Sequence, residues 1–225
     1  MRLLPFFLLA GCAQVQRSLP IEDLLQPQGE LSPDVDASTP NDLSGFDASA
    51  GDLTGGLGDM ASCLGMVKIN EVQTGGSASL SDEWIELYNP CAAAVDLTGA
   101  KLTYRAATNV GASDSSTVAP LTGNIPAGGY YLVANTNYSG APTPNIKPFA
   151  GSGLLATGGA VGLRDSVGTL IDSVGWGSAN NPFVEAAVAV APAAGKSIAR
   201  QPNGTDSNNN KNDFVQGTPT PKAAN

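Results

Sequence analysis

The run from residue 66 to residue 102 restricts the fold more than any other part of this chain. It reads MVKINEV, TGGSASLS, DEWIELYNP and CAAAVDLTGAKL. Between 82 and 89, Ile85 and Leu87 alternate with Trp84, Glu86 and Tyr88, the period of two expected of a strand with one buried face. Val67, Ile69 and Glu71 alternate with Lys68, Asn70 and Val72 in the same way, which places Glu71 on the face of Ile69. Pro90 stops the second strand because it has no N–H to give a sheet ladder. The sequence Asp96-Leu97-Thr98-Gly99 then supplies a turn, with an Asp that bonds its own backbone and a Gly free to take positive φ. Further strands are expected at 101–105, 116–121, 130–134, 160–164, 170–175 and 196–200. Many short strands, divided by turns drawn from 27 Gly and 16 Pro, describe an all-β sandwich or barrel. Residues 137–150 (NYSGAPTPNIKPFA) read as a long loop, and 180–195 (NNPFVEAAVAVAPAAG) as another.

The order INEV, DEWIELYNP, VDLTGAKL resembles the lamin tail domain, an immunoglobulin-like β-sandwich of nuclear lamins and of many bacterial exported proteins. Later stretches extend the likeness. IPAGGYYLV (125–133) is similar to the family's loop and hydrophobic strand, and AVGLRDSVGTLIDSVGW (160–176) to its late hairpin. KSIAR (196–200), Asp213-Phe214 and GTPTP (217–221) are similar to the closing strand and tail of bacterial members. The resemblance implies one immunoglobulin-like β-sandwich over 63–225. Its interior would be filled by Ile69, Ile85, Leu87, Leu102, Leu132, Val133 and Leu163, leaving no deep pocket.

The N-terminus reads MRLLPFFLLAGC. One Arg, an apolar run and small residues are the outline of a secretory signal. Leu9-Ala10-Gly11-Cys12 resembles a bacterial lipobox, which implies a signal peptide over 1–11 and a lipid on Cys12. The run is too short to span a bilayer as a helix, which takes about 20 apolar residues. Residues 12–62 are rich in Pro, Ser, Gly and Asp without periodicity, and such a chain buries too little to offset its ordering entropy. A disordered acidic tether is expected there. Between 13 and 62 nine acids stand against Arg17 alone, a net charge of −8, while from 63 onward eleven acids face nine bases. The domain thus lacks the basic excess that sequence-independent nucleic-acid binding needs.

Chemistry is mostly excluded. The chain has no histidine, which removes the commonest general base, the Ser-His-Asp and Cys-His arrangements and histidine metal sites. Glu83 and Glu86 lie three apart on a strand, so they point to opposite faces and make no catalytic pair. With Cys12 lipidated, Cys63 and Cys91 remain. They flank strands that would be antiparallel neighbours, so a disulfide is expected in an oxidising compartment, with two free thiols as the alternative. In NGTDSNNNKND (203–213), Asp206, Asn208 and Asn210 alternate like the first ligands of a calcium (Ca2+) loop, but Lys211 stands where that loop needs Gly. An Asn-rich turn is the competing reading.

These features predict a non-enzymatic binding or presentation module, anchored in a bacterial envelope membrane by its N-terminal lipid. It would meet a protein or carbohydrate ligand there without cofactor or nucleic acid. An accessory substrate-binding domain of an extracellular hydrolase system and a structural envelope protein are the alternatives. Loops on a rigid scaffold are the usual carriers of recognition, and aromatics supply contact area at low entropy cost. Tyr138, Phe149 and Phe183 are the expected contact residues.

Overall fold

Strand β1 (Lys68–Thr74) lies between β2 (Glu83–Tyr88) and β11 (Ser197–Arg200), antiparallel to both. The computed structural model of the chain describes residues 63–149 and 153–225. The expected signal peptide (1–11), Cys12 and the tether (12–62) lie outside the described residues. The first sheet continues through β7 (Tyr130–Asn135) to β8 (Ile146–Phe149) at one edge, and ends on β12 (Phe214–Gly217) at the other. The second sheet runs β10 (Leu170–Gly177), β9 (Gly158–Arg164), β4 (Lys101–Ala106), β5 (Ser116–Pro120). A ribbon of β3 (Val95–Asp96) and β6 (Asn124–Ile125) closes one end. The architecture is an immunoglobulin-like β-sandwich.

Both sheets meet in one core. Ile69, Val72, Ile85, Leu87 and Val133 come from the first, and Leu102, Val161, Leu163, Val174 and Trp176 from the second. All ten are fully buried, and each aliphatic side chain so placed contributes roughly 1.5–3 kcal/mol of hydrophobic stabilisation. Leu132 is not among them. It packs with Trp84, Ala134 and Tyr138 in a second cluster, because neighbouring strand residues face opposite sides and Val133 takes the inward position.

One expectation fails by a single residue. The β1–β2 register pairs Ile69 with Leu87 but Glu71 with Glu86, so Asn70 is an extra residue, a β-bulge. Beyond it the faces exchange. Val72 lies opposite Ile85 in the core, and Glu71 turns to the outer face beside Glu86. The Asn70 side chain holds the bulge: its Oδ1 accepts the Gly204 N–H at 3.0 Å, and its Nδ2 donates to Glu86 at 3.1 Å.

Cys63 and Cys91 are joined by a disulfide with Cα atoms 6.2 Å apart. The start of β1 thus lies beside the end of β2. Closing a loop of 28 residues stabilises the fold by roughly 3–4 kcal/mol in the chain-entropy account. Asn89 fixes the same end, donating to the Ala93 and Ile125 carbonyls and accepting the Cys91 N–H. The turn 75–82, the loop 136–145 and residues 153–157 gather at the opposite end. There the Ser139 N–H reaches Asp82 at 3.2 Å and the Leu154 N–H reaches Glu83 at 2.6 Å.

Candidate functional site

Tyr138, Phe149 and Phe183 are all buried, which corrects their assignment as contact residues. Phe183 is 1% exposed. Its ring stacks under two guanidinium groups, 4.9 Å from Arg105 and 5.3 Å from Arg164. A Cβ on Gly162 would come within 2.7 Å of this ring, so the glycine makes room for it on the outer face of the second sheet. Both arginines also bind Asp114, at 2.8 and 2.7 Å. Partial burial acts to raise the Asp114 carboxyl, but hydrogen bonds led by that from Arg164 outweigh it and hold it at about 2. Tyr138 caps the Trp84 cluster and donates its hydroxyl to the Ala141 carbonyl at 3.2 Å. Phe149 belongs to the main core. Each loop is therefore anchored by its aromatic residue rather than presenting it.

The alternating residues of 203–213 do not converge on a common point. Asn210 is fully buried, and its Oδ1 accepts the N–H groups of Gly175 and Glu185, both at 3.0 Å. Its Nδ2 donates to Ser173 O at 3.2 Å. The carboxamide thus satisfies the edge of β10 as a neighbouring peptide would, and both oxygen lone pairs are spent. Asp206 is held by Lys68 at 2.6 Å, while Asn208 is exposed with φ of 54°. Asp206 instead joins Asp172 and Glu185, whose carboxylate oxygens lie within 4.8 Å of one another. The protein's own cations already stand among them. Arg200, fully buried, binds Asp172 at 3.0 Å and Asp206 and Asp213 at 3.4 Å, and lies 4.6 Å over the Phe214 ring. A metal ion would have to compete with Arg200 and Lys68 for this cluster.

A third polar group lies on the outer face of the first sheet. Glu71 and Glu86 sit directly opposite each other and are fully buried. The C-terminal segment straps over them. Thr220 donates its N–H to Glu71 at 3.0 Å and its hydroxyl at 3.1 Å, and the Lys222 N–H donates to Glu86. At the far end of β2, Glu83 accepts from Leu154 N–H and, at 2.9 Å, from Asn135 Nδ2. Glu83 and Glu86 therefore face different partners on different sides. Nothing local in the sequence marks Arg200, Asp172, Glu185 or Glu86 as buried. Partners in these groups lie up to 149 positions apart, so no short-range pattern carries the signal.

Residues 61–178 match the family model for the Lamin Tail Domain. The chain belongs to the lamin tail domain family. A comparison with curated proteins finds no match to this chain. The lamin tail domain is an immunoglobulin-like, non-catalytic family. The match ends at 178, yet β11 pairs with β1, and Thr220 and Lys222 cover the two glutamates. Four polar residues within the matched stretch, Asn70, Glu71, Glu86 and Asn89, are all buried and hydrogen-bonded within the fold.

These buried acids give stability a pH dependence with a definite sign. Burial pushes Glu86 up to about 7 and Asp172 to about 6, and burial and then neighbouring carboxylates push Glu185 to about 7. Between about pH 4.5 and 7 the folded chain holds protons that the unfolded chain has released, so stability falls as pH rises through that window. Glu86 alone accounts for on the order of 3 kcal/mol. Asp114 works the other way, and its contribution is lost below about pH 4. Thermal melts are expected to show a midpoint highest near about pH 5 and falling toward pH 8. Glu86→Gln should flatten that fall, and a midpoint that rises from pH 5 to 8 contradicts the account.

Proposed function

We propose that this chain is a lipid-anchored protein of a bacterial cell envelope, with its lamin tail domain acting as a non-catalytic binding or presentation module. Cys12 carries the lipid, and residues 12–62 form the tether. The observation that carries the reading is the LAGC sequence followed by a stretch of net charge −8 ahead of the domain. Like charges extend such a segment and keep it off an anionic membrane surface. The absence of histidine from the chain and the structural engagement of Glu71, Glu83 and Glu86 support a domain that acts through its surface. The near balance of charge from residue 63 onward argues for a protein or carbohydrate partner over nucleic acid. With the tether entering beside the disulfide, the loops at the opposite end are the ones presented.

Two or more acyl chains give stable anchoring where one gives marginal binding. Cys12→Ser is therefore expected to shift the protein from the detergent phase to the soluble fraction, or to leave it unprocessed. Identical partitioning of the two proteins removes the reading.

A further inference from the structure

At the end of the sandwich away from the disulfide, a cleft of about 380 Å³ opens between the turn 75–82 and the start of β9. Its rim is apolar and exposed: Leu80 is 82% and Leu155 54% exposed. Its floor is buried, formed by Leu154 and by Glu83, which is 5% exposed. Among the described residues the Glu83 carboxylate has only neutral partners, the Leu154 N–H and the Asn135 amide. Among the described residues no Lys or Arg lies within ion-pair distance of it. A carboxylate offers about four acceptor positions, and the donors among the described residues take two of them.

We propose that this cleft binds a lysine side chain of a protein partner, with the aliphatic stem along Leu80 and Leu155 and the ammonium on Glu83. The charge complementarity is direct. A buried carboxylate lacking a cation carries a desolvation cost that an incoming ammonium offsets. That cost shows as a carboxyl raised above its ordinary value by burial, against the pull of its two hydrogen bonds. The apolar rim suits a lysine, whose methylenes cover apolar surface while the charged head finds its partner. The inference rests on the reading of the domain as a binding module and names one site for it.

The test is an NMR titration of the full chain carrying Cys12→Ser, at about pH 8, with the peptide acetyl-Gly-Lys-Gly-amide and its norleucine analogue. Norleucine keeps an apolar stem and lacks the ammonium. The Leu154 amide signal reports on the carboxylate it binds. The lysine peptide is expected to shift that signal and to bind at least about tenfold more tightly than the norleucine peptide, as a charge-assisted contact should. Glu83→Gln should abolish the preference. Leu155→Ser, on the exposed rim, should weaken the lysine peptide while leaving the fold intact. Equal binding of the two peptides, binding of neither, or a preference that survives Glu83→Gln overturns the site. Such a result with Cys12-dependent membrane partitioning intact leaves the anchored-module reading standing.

Discussion

Arg200→Ala is expected to lower the unfolding free energy by about 3–5 kcal/mol, the usual cost of removing one partner from a buried ion network. The guanidinium is fully buried and donates to the Ile69 and Thr205 carbonyls as well as to Asp172 and Asp213. Among the described residues, its loss leaves Lys68, paired with Asp172 and Asp206, as the only cation of the group. Arg200→Lys should recover part of the loss, because one ammonium cannot reproduce the planar fork that reaches four separate acceptors. Denaturant melts of the three proteins check this. A loss below about 1 kcal/mol, the level of an exposed pair, would mean that the network is wetter than its burial indicates.

Phe183→Ala should cost a comparable amount, about 3–5 kcal/mol for a buried phenyl ring. The ring fills the space above Gly162 and lies beneath the guanidinium groups of Arg105 and Arg164. Without it the two arginines lose their cation–π contacts, and residues 181–184 lose their anchor. Val167→Ala is the matched control. It lies 86% exposed in the β9–β10 turn and should change stability by less than about 0.5 kcal/mol. An unchanged melting midpoint for Phe183→Ala would return this residue to the role of a surface contact.

Those two residues illustrate what a sequence pattern can and cannot carry. Ile85 and Leu87 were legible as core because alternation is a property of a few adjacent residues, and Leu163 was legible only through the family resemblance. The disulfide was legible because both cysteines flank strands that the turn between them makes neighbours. Phe183 was misread, since a lone aromatic in a loop looks the same whether it faces solvent or a glycine on a distant strand. The Asn203–Asp213 run had left two readings open, a ligand loop and an Asn-rich turn, for a related reason. Its alternation fits a ligand loop, but Asn210 is drawn inward to complete the edge of β10.

By itself the sequence determined the all-β class, the order of the main strands, the family likeness and the acidic stretch before the domain. Each of these follows from neighbours in the chain: a period of two, a turn residue, a local charge count. The tertiary structure alone decided the bulge at Asn70, and with it that Val72 rather than Glu71 enters the core. It decided that the segment around Thr220 covers Glu71 and Glu86 and that Arg200 serves four acids at once. It also decided that the apolar cleft closes on Glu83. The physical reason is common to all of these. Burial of a charged or polar group is tolerated only where partners arrive to satisfy it, and here they arrive from positions as far as 149 residues along the chain.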